Sequence, residues 1–145
     1  MFLIKLFCKR APTISLVFDK AYCQIYYYSN IKAIHLDWKN HATHDQFIEA
    51  CNFSLNLMVE KKAKKMIADN SKVVEVSVEN QLWLTENWFP RALEKGFQYS
   101  AVISSDKNSV KSALQLIVSR INTNSVIVKY FNELSQAKEW LSKTD

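Results

Sequence analysis

The sequence predicts one α/β domain on a mixed sheet, with elements in the order βββαβαβαβα and an antiparallel hairpin near the start. Three observations predict it. Strand-like runs follow one another closely before residue 43. After it, short β-branched runs alternate with stretches whose apolar residues recur at helical spacing, the pattern of right-handed crossovers in a largely parallel sheet. Glycine occurs once and proline twice in 145 residues, so the connections fall to Asn, Asp, Ser and Lys. No linker or repeat divides residues 13–145, and residues 1–12 read as an N-terminal arm.

Taken in order, residues 14–18 form a short β-rich run. Residues 22–28 are aromatic and β-branched. Ser29 and Asn30 make a turn, and residues 31–38 alternate. Ile34, Leu36 and Trp38 are the more apolar set and are expected to face the core. The first helix opens on Thr43 and Gln46, a capping box, and carries Phe47, Ile48, Cys51, Leu55, Met58 and Val59. Residues 65–69 are a short buried strand. The second helix starts after Ser77, and Pro90 must kink or restart it, because proline clashes with the preceding turn. Gly96 suits the left-handed residue that ends a helix. A strand at 99–104 precedes a third helix with Val110, Ala113, Leu114, Ile117, Val118 and Ile121 on one stripe. A strand at 125–131 and a helix at 133–142 complete the order.

One glycine excludes several chemistries. A dinucleotide fingerprint needs three glycines, and a phosphate-binding P-loop needs two. A nucleophile elbow needs them flanking its serine. His41, His44 and Asp45 are the one metal-like cluster, but third and fourth ligands cannot be placed, and His44 and Asp45 read as first-turn helix residues. No cofactor or metal is expected. Cys51 lies on an apolar stripe and reads as a small core residue. His35 and Asp37 share a strand face and read as a surface contact. The three cysteines make no CxxC pair, which suits a reducing, cytoplasmic compartment. The apolar start is interrupted by Lys5 and lacks a basic leader and a cleavage site, so an export signal is not expected. No apolar run reaches membrane-spanning length.

The net charge of +5 is scattered. Its densest run, Lys61, Lys62, Lys64 and Lys65, complements the carbonyl end of a helix, and no aromatics interleave it as a nucleic-acid groove would want. Nucleic acid is therefore not an expected partner. The second helix is the candidate binding surface. Leu82, Trp83, Leu84, Trp88 and Phe89 spread over more than one face, and Arg91 could anchor an acidic group.

Several segments carry a family resemblance. They are Trp38 closing the third strand, Met66-Ile-Ala-Asp69-Asn70, Trp83-x4-Trp88-Phe-Pro90-Arg91-Ala with Gly96 following, and Tyr130-Phe131-Asn-Glu-Leu-Ser-Gln-Ala137-Lys-Glu-Trp140-Leu141. Over residues 14–142 the chain resembles small bacterial STAS-type, SpoIIAA-like (STAS/SEC14-like) domains. The resemblance implies a SpoIIAA/STAS-like mixed sheet. It also implies a regulatory phosphorylation position at the start of the second helix, where Ser77 stands. The Asp and Gly of that family's motif are absent around Ser77, so the serine reads first as a helix cap. The expected function is a non-catalytic interaction or regulatory module, docking a protein partner or a second copy. The alternative is a carrier or sensor of a small apolar ligand or lipid, as a CRAL-TRIO likeness implies.

Overall fold

The computed structural model describes residues 13–104, 108–121 and 125–145; the expected arm at 1–12 lies outside them. Six strands form one sheet in the order of the chain. Strands β1 (Ile14–Lys20), β2 (Cys23–Tyr28) and β3 (Ala33–Trp38) make an antiparallel meander. Strands β4 (Lys65–Asn70), β5 (Tyr99–Ser104) and β6 (Ile127–Phe131) then add in parallel to β3. Every crossover thus advances in the same direction. Right-handed crossovers of that kind lay their helices on one face of the sheet.

That face carries α1 (His44–Lys61), the pair α2 (Val78–Trp83) and α3 (Phe89–Glu94), and α4 (Asn108–Arg120). The last helix, α5 (Leu134–Ser142), follows β6 and packs on the opposite face, where Ala137 and Leu141 meet Ile67, Ala101 and Ile103. The larger core lies under the three-helix layer and joins Ile25, Ile34, Leu36, Met58 and Phe97. Strand β3 is buried at all six positions. The sequence pattern had turned His35 and Asp37 to the surface. Both are instead enclosed, at 3% and 8% exposure, because a strand central to a two-layered sheet has no solvent face.

The caps follow the sequence closely. The Thr43 hydroxyl accepts from the Gln46 amide, and the Gln46 side chain accepts from the Thr43 amide. Ser77 caps α2 by accepting from the Asn80 amide at 3.1 Å. The α3 helix closes through Gly96, whose φ is +98°, and the Phe97 amide reaches back to the Ala92 carbonyl, the αL closure that favours glycine.

Three local expectations are corrected. The β2–β3 connection spans four residues, 29–32, with Lys32 in the left-handed region, so Ile31 belongs to the turn. The last strand begins at Ile127 rather than at residue 125. Lys65 does not belong to a solvated helix end. It opens β4, is 9% exposed, and its Nζ donates to the carbonyls of Leu141 and Thr144 at 2.8 and 3.0 Å. This cation meets the carbonyl end of α5, where the helix dipole favours it.

In α4, Val110 and Ile117 are buried, as is Ile121 just beyond it, while Leu116 is exposed, as the stripe predicts. Ile117→Ala is expected to destabilise the fold by about 2–5 kcal/mol in urea unfolding. A loss below about half a kcal/mol would remove this stripe from the core.

Candidate ligand cavity and an opposed polar network

A mostly apolar cavity of about 130 Å³ lies between the sheet and the three-helix layer. Its floor is one face of three parallel strands. Leu36 and Trp38 come from β3, Met66, Ala68 and Asn70 from β4, and Ser100 and Val102 from β5. Its walls are Phe47 and Cys51 of α1, and Leu114, Ile117 and Val118 of α4. Space remains because Ala68, Ser100 and Val102 are short side chains beneath large aromatic ones. The outer end lies beyond the carboxyl ends of the strands, among Lys39, Asn40, Val73 and Glu75.

The third wall is made by a π-helical turn. Residues Leu84–Trp88 run between α2 and α3 with the Phe89 amide bonded to the Leu84 carbonyl. Pro90 has no amide to donate and stands in the first turn of α3. The chain meets this constraint by widening one turn and restarting, rather than by a sharp kink; such turns often mark functional positions. The widening sends Leu84, Trp88 and Phe89 into the cavity wall.

The structure separates the four residues expected to form a surface. Trp88 is 3% exposed, and its indole Nε1 donates to the Cys51 carbonyl of α1 at 2.8 Å. It is a core residue and a wall of the cavity, and it is not part of an exposed docking face. Phe89 packs edge-on to Trp88, with ring centroids 5.0 Å apart. Trp83 lies outside the cavity lining, half-buried, with its ring edge-on to Phe47 and beneath the Arg91 guanidinium. Arg91 bonds Asn87 and Asn52 at 2.9 and 2.7 Å, so it ties α3 to α1. The exposed apolar residues of this stretch are Val78 and Leu82.

On the opposite face a polar network joins three strands. The Tyr28 hydroxyl lies 2.7 Å from His35 Nδ1, and His35 Nε2 lies 3.4 Å from an Asp69 carboxylate oxygen. A carboxylate only accepts, so Nε2 carries the proton that faces it, and in the neutral ring Nδ1 accepts from Tyr28. Tyr26 and Tyr28 both stack on the imidazole. The Ser71 amide and hydroxyl donate to the other Asp69 oxygen. Beside Asp69 in register, Asp37 accepts from Lys39 at 2.8 Å and from Lys72 at 3.2 Å. His35 therefore pairs with Asp69 and not with Asp37. Sequence reading missed this because 34 residues separate the partners, and only the parallel register brings them together.

Its chemistry is that of a held network. Burial first, then the nearby charges, pushes the Tyr28 phenol up to about 12, which keeps its proton in place. Burial also pushes the Cys23 thiol up to about 12 and the Cys51 thiol well above its ordinary value, so both are poor nucleophiles. His44 bonds Asn80 and approaches Glu79 across to α2. Among the described residues no cluster of His, Cys, Asp and Glu could hold a metal.

Two measurements test these assignments. Trp88→Ala removes a buried indole and its hydrogen bond and is expected to cost about 3–5 kcal/mol; a folded variant of near-parental stability would return Trp88 to the surface. Burial alone would raise the Asp69 carboxyl. The hydrogen bonds from His35 and Ser71 outweigh it and hold the group at about 2, against 3.8 ordinarily. A folded-state value below the unfolded one stabilises above pH 3.8 and is lost as the pH falls toward 2. Asp69→Asn should therefore flatten stability against pH across that window. An unchanged profile would show that Asp69 is not so held.

No protein-family model matches the chain, and no curated protein matches it. Among solved structures it is similar to an uncharacterized protein of the DUF3478 family with a SpoIIAA-like fold from Shewanella loihica PV-4. The two share 15% sequence identity at a TM-score of 0.50, over 93% of this chain and 98% of that one. With its six-stranded mixed sheet and its helix order, the chain has the SpoIIAA-like α/β fold that the sequence resemblance implied.

Proposed function

We propose that this domain is a non-catalytic binding module that takes a small, mostly apolar ligand between its sheet and its three-helix layer. The single observation behind this reading is the mostly apolar cavity of about 130 Å³ between the sheet and the helices, open toward the carboxyl ends of the parallel strands. An engineered apolar cavity of comparable volume, about 150 Å³, holds benzene. Drug-sized ligands need about 300–1,000 Å³. The size favours a single ring or short chain and disfavours a long lipid tail, which narrows the CRAL-TRIO-like alternative to its smallest ligands. The inward turn of Trp88 and Phe89 supports this reading over docking through the 83–91 surface. The raised thiols and the proton-holding tyrosine support a binding role over a catalytic one. The π-helical turn couples the cavity wall to the second helix, a natural route for a ligand to alter the outer surface. No helix of the described residues is long and apolar enough to cross a membrane.

The expected result is a rise in Tm with ring-sized apolar compounds. At ten times Kd, a ligand specific to the folded state adds about 1.4 kcal/mol, or roughly 2–8 °C for a domain of this size. Ala68→Leu fills the floor and should abolish the rise. Rises of equal size in both proteins would place binding elsewhere, and no rise with any such compound would sink the proposal.

A further inference from the structure

The identity of the residues at the inner end of the cavity restricts the ligand further, on the assumption that the cavity is a binding site. We infer that the ligand is uncharged and carries a hydroxyl at its inner tip, recognised by Ser100. Ser100 is 5% exposed and lines the cavity from β5. In register it lies between Met66 and Val128. Among the described residues its hydroxyl has no hydrogen-bond partner. A buried polar group left so incurs a desolvation penalty, and a ligand hydroxyl would satisfy it.

The other candidate partners nearby are occupied. The Trp88 indole N–H goes to the Cys51 carbonyl, which also accepts from Ser54. Cys51, Met66, Trp88 and Phe97 are all buried around this end. Charge is confined to the other end, where Lys39 is bonded to Asp37 at 2.8 Å. Asn70, at the outer end, pairs in register with Ser104, four residues beyond Ser100. Four residues of strand span about 13 Å. A carboxylate at Ser100 would therefore lose its hydration with no cationic side chain among the described residues lining that end of the cavity. A neutral hydroxyl can both donate to and accept from serine.

The test is isothermal titration calorimetry of phenol, toluene and benzoate against the full chain and against Ser100→Ala. Phenol is expected to bind the parent about five- to tenfold more tightly than toluene, the effect of one net hydrogen bond, and benzoate not detectably. In Ser100→Ala, phenol should fall to the level of toluene while toluene is unchanged. Equal binding of phenol and toluene by the parent, a preference that survives the substitution, or tight benzoate binding would each overturn the inference and leave the cavity reading standing. Binding of none of the three to the parent would remove the cavity reading with it.

Discussion

Three successive right-handed crossovers that advance in one direction across a sheet must stack their helices on a single face. Nearly everything distinctive here descends from that constraint. The face beneath α1, α2–α3 and α4 receives apolar side chains from all of these helices, while among the described residues the other face is covered by α5. An interior filled by three helices from separate crossovers is closed by their mutual fit, not by one continuous element. Short floor residues such as Ala68 and Ser100 then leave space between the sheet and the helices. The cavity is a consequence of topology combined with a few small side chains.

The π-helical turn fixes which aromatics meet that space. Pro90 removes one amide from the helical ladder, and Leu84–Trp88 absorb the loss by widening. In an uninterrupted helix, the side chains after the turn would be rotated differently against α1. The widened turn instead directs the Trp88 indole to the Cys51 carbonyl and sets Phe89 against Phe97. Arg91 then lies where it can bridge to Asn52 and cover Trp83. One missing N–H thus organises a wall of the site and the link between two helices.

Much of this was legible in the sequence, and the failures have physical causes. Caps are local, so Thr43, Gln46, Ser77 and Gly96 announced their helix ends correctly. The β5 strand and the buried stripe of α4 were likewise readable from periodicity. In β3 the period-2 pattern placed Ile34, Leu36 and Trp38 in the core correctly but turned His35 and Asp37 outward, because a strand enclosed on both sides has no solvent face and His35 can be buried with a partner. Lys65 failed because a basic run reads as solvated, and nothing local reveals the distant carbonyls of α5 that hold it. Trp88 and Phe89 were read as part of an exposed binding surface but turn inward against the cavity, because the direction they face depends on a π turn that propensity does not show. The floor could have been suspected from Ala68 and Ser100, small residues at core-facing strand positions.

The two faces of the sheet divide the polar work. Groups that could disturb an apolar interior sit on the α5 side, where Asp37 and Asp69 are adjacent in register and each is satisfied by different donors. Lys39 and Lys72 neutralise one, and His35 and Ser71 hold the other. Two buried carboxylates side by side would otherwise repel each other. Their separate partners satisfy each carboxylate without contact between the two across the strands. Among the described residues that line the cavity, its inner length carries no charged side chain, with Ser100 as a polar group at that end. An unsatisfied neutral hydroxyl in an apolar chamber discriminates by hydrogen bonding and not by charge, because the charges of this region are already committed on the far side of the sheet.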